Sequence, residues 1–432
     1  MEHAGRTGGL PFVGVGWYRT EFDVPQFQAG KRATILFDGA MSHANVYING
    51  QKVGYWPYGY NSFYFDITKY LKPGEKNTLA VRLENLPESS RWYPGAGLYR
   101  NVHLIITEDA YIPVWGTYIT TPSVNEKFAK VNVRTKVVLP EGADPAKYSV
   151  ETSVWNPNKQ KLTAVRTSLA QMKYNNDLAE QEFVIQDPSL WSPEMPALYS
   201  AETRLYEGDK LKDTYTTPFG IRSIEIIPDK GFFLNGKRTV FKGVCNHHDL
   251  GPLGAAVNDA AIRRQIRILK DMGCNAIRTS HNMPAPELIR ACDEMGMMIM
   301  AESFDEWNVA KCKNGYNLLF DEWAEKDLVN LLHNFRNNPS VVMWCIGNEV
   351  PNQWNEGDCK IAKWLQDICH REDPTRPVTQ GMDAPDAVVN NNFAAVMDVA
   401  GFNYRPFKYK INYKKLPQRI VLGSETASTV SS

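Results

Sequence analysis

The chain has 432 residues, room for two to four domains of ordinary size, each able to bury a core. Lys plus Arg and Asp plus Glu both number 48, so the formal net charge is zero; that argues against a nucleic-acid or anionic-membrane surface, which needs a basic excess. No apolar run approaches the ~20 residues of a membrane span, and the opening MEHAGRTGGL lacks the basic-then-apolar pattern of a leader.

Residues 13–108 read as antiparallel β. WYRTEFDV alternates, ATILFDG follows, and NVYINGQKVG sets alternating residues around Asn49-Gly50, a pair that accepts φ > 0 in a hairpin. FYFDIT, TLAVRLEN and LYRNVHLIIT continue with no helical period. From about 109 to 220, VNVRTKVVL, YSVETSVWN and YSAETRLYEG are short strands parted by Pro, Gly, Asn and Asp, the spacing of a second sandwich.

After FGIRSIEI and the Asn235-Gly236 turn, the rhythm alternates. TVFKGVCN is a strand. DAAIRRQIRILKDMG is an amphipathic helix with Ile262, Ile266, Leu269 and Met272 on one stripe and Gly273 as its stop. The strand NAIRTSH, the helix PELIRACDEMG, the strand MMIMAES and the helix FDEWAEKDLVNLLHNF follow. Then come the strand SVVMWCIGNE, the helix CKIAKWLQDICHRED and the strands PVTQG, DVAGFNY and RIVLGSE. Apolar strands alternating with helices imply a parallel sheet covered on both faces. Strands that each end in polar residues point to a (β/α)₈ barrel, whose site gathers at the C-terminal strand ends. The seven cysteines, Cys245, Cys274, Cys292, Cys312, Cys345, Cys359 and Cys369, form no CxxC pair, and are read mostly as small buried hydrophobes rather than a disulfide frame or zinc site.

The strand ends supply Asn246-His247-His248-Asp249, Arg278-Thr279-Ser280-His281-Asn282, Glu302 with Asp305 and Glu306 beyond it, Asn348-Glu349, Asp383, Asn403-Tyr404 and Glu425. A buried carboxylate is costly unless paired or hydrogen-bonded, so a core strand ending on Glu349 implies a cavity. Two glutamates across a polar mouth suit glycoside hydrolysis, in which one carboxyl protonates the leaving oxygen and the other attacks the anomeric carbon or activates water. Glu349 and Glu425 fall on the fourth and seventh strands. The bland alternative for each is a strand-end salt bridge. Arg278 could equally be the stabilising partner of a buried acid, and His281, His248 and Tyr404 could be packed core residues. His247, facing the other way by alternation, is read as structural. Glu302 and Asp305 stay undecided between support and rim charge. Trp307, Trp344 and Trp354 are aromatic candidates for stacking on sugar, Trp344 being better explained by core packing. Trp56 and Tyr58 are better explained by domain packing than by an accessory sugar face.

Several blocks resemble glycoside hydrolase family 2, the family of β-galactosidases, β-glucuronidases and β-mannosidases. NVYINGQKVG, YGYNSFYFDIT and WYPGAGLYRNV resemble its sugar-binding jelly roll. FGIRSIEI…GFFLNGKRTVFKGVCNHHD resembles the junction of its immunoglobulin-like sandwich and barrel. MGCNAIRTSHNMPAPELIRACDEMGMMIMAESFDEW and NNPSVVMWCIGNE resemble its most specific barrel blocks, and VLGSETAS its nucleophile block. SSRWYPGAGLYRNV, RTSHNMPAPEL and GSETASTVSS are closest to β-galactosidases of gut Bacteroidetes. The resemblance implies a jelly roll over 1–108, an immunoglobulin-like sandwich over 109–222 and a TIM-barrel catalytic domain over 223–432. It implies Glu349 as acid/base and Glu425 as nucleophile of a retaining enzyme, most like a β-galactosidase. It further implies Asn348 on the sugar 2-hydroxyl, Tyr404 and Arg278 on the nucleophile, and His248 and His281 on sugar hydroxyls.

No cofactor is expected; a divalent metal stays open but is not supported. Some family β-galactosidases hold Mg²⁺ through a glutamate and a histidine two residues on; Glu306 matches, but Asn308 stands where the histidine would be. Arg91 stands roughly where other galactosidases carry an aspartate. The expected partner is an oligosaccharide or glycoside, with no nucleic acid and no membrane, and with room for a homo-oligomer. The compartment stays open between periplasmic and secreted. Seven barrel strands are counted, the last ending at Glu425, so the barrel is expected to be truncated after strand seven and the jelly roll to start late. A piece of this kind would be weakly active or inactive alone, and its rival in another class is an inactive fragment acting only as a carbohydrate-binding module.

Overall fold

The computed structural model describes residues 13–26, 30–171 and 177–427. The opening MEHAGRTGGL and the end of GSETASTVSS lie outside them.

The first unit is a sandwich. Gly14–Asp23, Lys76–Asn85, Ala44–Ile48 and Gln51–Trp56 form one antiparallel sheet in that spatial order, and Phe63–Asp66, Arg32–Phe37 and Val102–Thr107 form the other. Alternation in Arg32–Phe37 turns Ala33, Ile35 and Phe37 inward, where Phe37 stacks on Phe63 at 5.0 Å. The Asn49-Gly50 hairpin forms as its residues dictate, with φ of 51° and 79°. A second sandwich sets Lys161–Ser168, Tyr148–Trp155, Tyr199–Glu207 and Lys210–Phe219 against Leu178–Gln186, Phe128–Lys136 and Thr117–Val124.

Seven parallel strands follow, hydrogen-bonded in chain order: Gly243–Asn246, Ala276–Thr279, Met298–Glu302, Val341–Asn348, Val378–Met382, Val399–Asn403 and Val421–Glu425. Helices α1 (Asp259–Asp271), α2 (Pro286–Met295), α3 (Phe320–Phe335), α4 (Cys359–Glu372), α5 (Pro385–Asn390) and α6 (Tyr409–Tyr413) cover the sheet. All eight residues of the fourth strand are buried, and each Val or Ile there contributes ~1.5–3 kcal/mol by leaving water. A small antiparallel sheet, Ile224–Ile227, Gly231–Leu234 and Lys237–Arg238, plugs the end where the strands begin, packing Phe232 and Leu234 on Ala276, Met298 and Val342.

Two local expectations are corrected. The first barrel strand begins at Gly243, not at Thr239; a Cβ on Gly243 would meet the Ala276 carbonyl at 2.4 Å, so only glycine lets the strands approach. Met272 is 69% exposed because it caps α1 instead of continuing its stripe. Among the described residues no disulfide forms; Cys292, Cys345 and Cys369 are buried, whereas Cys245 is exposed and the other three are partly so. The first and seventh strands are the outer members of the described sheet, yet Cys245 Sγ reaches the Ser424 carbonyl at 3.2 Å, so the sheet curls and its C-terminal ends converge.

The first sandwich docks on that converging end. Trp56 Nε1 and Asn61 Nδ2 donate to Asp327 of α3 at 2.9 and 2.7 Å. Tyr58 donates to the Ser303 carbonyl at 2.8 Å. Arg100 donates to the Met283 and Pro284 carbonyls.

Candidate active site

Arg278 organises the mouth. It lies next to the end of a short strand whose four residues are all buried, and its side chain is only 3% exposed. A guanidinium that deep is costly unless matched by carboxylates. Its Nη1 donates to Glu425 Oε1 at 2.6 Å and its Nη2 pairs with Glu302. Burial works against its charge, but Glu302 and Glu425 outweigh burial and raise its pKa. Glu302, fully buried at the end of the third strand, answers in kind: burial opposes its ionisation, yet Arg278 and His281 pull its pKa below the ordinary value.

Asn348 and Asn403 bridge from Arg278 to Glu349. Asn348 Oδ1 accepts from Arg278 Nη2 and from Asn403 Nδ2, each at 3.0 Å. Asn348 Nδ2 donates to Asp305 Oδ1 at 3.0 Å. Two donors on one side and a carboxylate on the other leave one orientation for this amide, with one N–H to spare. Asn403 Nδ2 also donates to Glu349 Oε1 at 2.9 Å, while its Oδ1 accepts from Ser424 at 2.7 Å. Gly381 permits the crowding, since a Cβ there would lie 2.6 Å from Arg278 Nη2.

Glu349 leaves the strand with φ of 44°, and its N–H donates to the Gly381 carbonyl at 2.7 Å. A left-handed non-glycine residue is strained and persists only where its surroundings hold it; Tyr404 (φ 55°) and Arg405 (φ 57°) share the trait. Burial pushes the Glu349 carboxyl up, the charges of Asp383 and Glu425 push it further, and the Asn403 bond and Lys311 oppose them. Glu425 sits otherwise. Arg278 holds Oε1, the Tyr404 hydroxyl donates to Oε2, and His281 Nε2 stands 3.5 Å from Oε1. Burial and the Glu425 charge raise the phenol of Tyr404, which therefore stays a donor. His281 gives Nδ1–H to Glu302 Oε1 at 2.7 Å, because an ionised carboxylate only accepts, and this turns Nε2 into the mouth.

Of the residues named from sequence, Glu349, Glu425, Arg278, His281, Asn348 and Tyr404 come together in one hydrogen-bonded cluster. His248 does not join it. Its Nε2 faces the Pro94 carbonyl at 3.0 Å, its ring packs on Tyr60 at 5.0 Å, and burial and Arg100 push its pKa to about 3. His247 lies at the mouth instead, 5.4 Å from the His281 ring and 5.1 Å from Trp92. The strand ends at Asn246, so alternation no longer governs the pair. Trp307 and Trp344 are fully buried, with indoles bonded to the Ile346 carbonyl and Asp373; neither offers a face to sugar, whereas Trp354 is 64% exposed.

Residues that sequence reasoning did not select complete the cluster: Asn403, Ser424, and the set around Asp305. Asp305 receives Arg91 Nε and Nη2 at 2.8 and 2.6 Å from the first sandwich, and Lys311 Nζ at 3.0 Å. Lys311 Nζ also donates to the Asn348 carbonyl at 2.6 Å. Asn403 had one available signal, its place at a strand end beside Tyr404; the Arg91–Asp305 pair had none. Glu306 is taken by backbone N–H groups of Lys311, Cys312 and Asn317, and Asn308 accepts from Asn352. Both side chains thus have protein partners, and no group of His, Cys, Asp and Glu able to hold a metal occurs among the described residues.

Three family models match the chain end to end: "Glycosyl hydrolases family 2, sugar binding domain" over residues 11–108, "Glycosyl hydrolases family 2" over 111–222 and "Glycosyl hydrolases family 2, TIM barrel domain" over 225–427. A β-galactosidase of Bacteroides ovatus is 41% identical over 438 residues, covering 94% of this chain and 51% of its own. A β-glucuronidase of Bacteroides fragilis is 32% identical over 381 residues, covering 85% of this chain and 54% of its own. The crystal structure of a glycosyl hydrolase family 2 member from Bacteroides cellulosilyticus superposes with a TM-score of 0.91 at 36% identity, covering 96% of this chain and 53% of that one. The chain thus spans about half the length of the curated relatives it matches.

Proposed function

The chain belongs to glycosyl hydrolases family 2, and from that premise we propose that it works as a retaining glycoside hydrolase on terminal β-linked sugars, β-galactosides first. The observation that carries this is the unequal setting of two glutamates on one ring of hydrogen bonds. Glu425 is gripped by a guanidinium and a phenol. Glu349 has one amide donor, and burial and neighbouring acids raise its pKa. A carboxyl raised by burial suits the acid, and a carboxylate held by cationic and phenolic donors suits the nucleophile.

In the first step a Glu425 oxygen forms a bond to the anomeric carbon as the glycosidic bond breaks, and the leaving oxygen takes the proton of Glu349. The product is a glycosyl ester on Glu425. In the second step Glu349, now ionised, takes a proton from water, whose oxygen attacks the same carbon and releases Glu425. Arg278 pairs with the Glu425 carboxylate before attack and meets its restored charge afterwards. The spare N–H of Asn348 serves the sugar 2-hydroxyl, and His281 Nε2 serves another hydroxyl. Carboxyls about 5–5.5 Å apart suit this double displacement.

Galactose is favoured by the Bacteroides ovatus relative, a β-galactosidase at 41% identity. A β-glucuronide is the second reading, and one feature favours it: two cations, Arg91 and Lys311, stand on the one carboxylate of Asp305 near the mouth.

The test is hydrolysis of aryl β-galactoside, β-glucuronide and β-mannoside by this chain, beside Glu349→Gln and Glu425→Gln. The expected result is turnover of the galactoside, reduced by roughly 10²–10⁴ in Glu349→Gln and abolished in Glu425→Gln. Preference for the glucuronide would move the assignment to the second reading. Absence of turnover on all three, with the chain folded, would overturn the enzymatic reading for this chain.

A further inference from the structure

We propose that the crevice between the second sandwich and the barrel end where the strands begin binds a sulfate-sized oxyanion, free or carried on a sugar. The crevice has a volume of about 670 Å³, within the range of sites that accept small molecules. Four arginines line it: Arg134 from Phe128–Lys136, Arg222 ahead of the small sheet, Arg336 just past α3, and Arg376 ahead of the fifth barrel strand. Glu225, exposed and in no ion pair, is the one carboxylate among its lining residues.

Two of these cations are matched. Arg376 Nη1 lies 2.6 Å from Asp373, which also accepts from Tyr118 and Trp344. Arg134 Nε lies 3.0 Å from Glu180. The other two are not. Arg222 is 8% exposed and donates only to the Pro339 and Val341 carbonyls, at 2.6 and 2.7 Å. Among the described residues no carboxylate stands within ion-pair distance of it, and its hydrogen bonds run from Nε and Nη2. Arg336 lies over the Tyr118 ring at 4.6 Å, reaches the Trp115 carbonyl at 3.5 Å, and has a buried Nε with no acceptor.

A buried guanidinium with no carboxylate in direct contact is expensive. Burial and the charge of Arg376 push Arg222 down to about 9 against the more distant Asp373 and Asp293, and burial lowers Arg336 against Glu372 and Asp373. A tetrahedral or planar oxyanion would give both an acceptor, through charge-assisted bonds for which the guanidinium fork is suited. The wall supplies hydroxyls as well: Thr120, Thr121, Ser123 and Ser223 line the crevice, and the pairing of Thr117–Val124 breaks register between Thr120 and Ser123, opening the strand there. This site is separate from the carboxylate cluster. Arg222 bonds the first residue of the fourth barrel strand and Asn348 is its last, a span of about 23 Å at strand rise.

The test is calorimetric titration and thermal melting of the whole chain with sodium sulfate, against sodium chloride at matched ionic strength. Saturable binding with one sulfate per chain and a raised melting temperature are expected. Arg336→Gln should weaken sulfate by about tenfold or more while keeping its melting temperature without sulfate. Arg134→Gln, whose partner is Glu180, should weaken it far less. Galactose 6-sulfate against galactose separates the sources: binding tighter than inorganic sulfate marks a sugar-borne group, and equal binding marks the free ion. No saturable signal beyond the chloride control, or full affinity in Arg336→Gln, overturns the proposal, and neither result bears on turnover.

Discussion

At the scale of the residue, the proton inventory of the mouth rests on Glu349. Its carboxyl is raised by burial first and then by Asp383 and Glu425. A general acid must hold its proton when substrate arrives, so activity should fall as pH rises through this raised value. Asp383, held by Gln353 Nε2 at 2.6 Å, adds negative charge that favours the protonated form. Asp383→Asn should therefore lower the Glu349 pKa and move the basic limb of kcat/KM to lower pH, read from a pH profile with an aryl β-galactoside. An unmoved basic limb would remove Asp383 from this role. Glu349 itself was legible in sequence as the acid closing an apolar strand. Asn403 was visible only as a strand-end polar residue, because its bonds to Asn348, Glu349 and Ser424 cross to other strands.

At the scale of the element, the fifth barrel strand does its work through the residue it lacks a side chain for. Gly381 pairs with Asn348, and its hydrogen faces Arg278 Nη2, Asn403 Oδ1 and Asn348 Oδ1. A methyl there meets all three within 3.2 Å. Gly381→Ala should leave secondary structure intact, cost about 1–3 kcal/mol of stability from overpacking, and lower kcat by tenfold or more by displacing the guanidinium from Glu425. Circular dichroism with steady-state kinetics separates the two effects; full activity would mean that Arg278 tolerates displacement. The strand-helix alternation was plain from period and composition. The glycine was not, since the reason for it lies in side chains arriving from three other strands.

At the scale of the molecule, the first sandwich and the barrel meet over a buried acid. Asp327 of α3 accepts from Trp56, Asn61 and Tyr316, and burial pushes its pKa to about 7. Its folded value lies above its unfolded one. The folded chain therefore holds a proton that the unfolded chain has released, and stability falls as pH rises from the ordinary carboxylate range to about 7. Asp327→Asn keeps the acceptors for Trp56 and Asn61 and meets Tyr316 with an amide, without the ionisable proton. The variant should gain on the parent between pH 5 and pH 8, measured as the difference of melting temperatures. An equal difference at both values would show that Asp327 carries no such proton.

Local chemistry by itself determined the two β units, the parallel βα rhythm and the strand-end glutamates. Hydrophobic period, turn residues and contiguous blocks are written within a few residues of one another. Tertiary structure alone decided which polar groups meet. Arg91 reaches Asp305 across 214 positions, His247 takes the mouth while His248 turns to Pro94, and Arg222 and Arg336 share a crevice. Those meetings depend on how the sheet curls and how the sandwiches dock, and a side chain's partner there is set by distance in space, on which separation along the chain places no constraint.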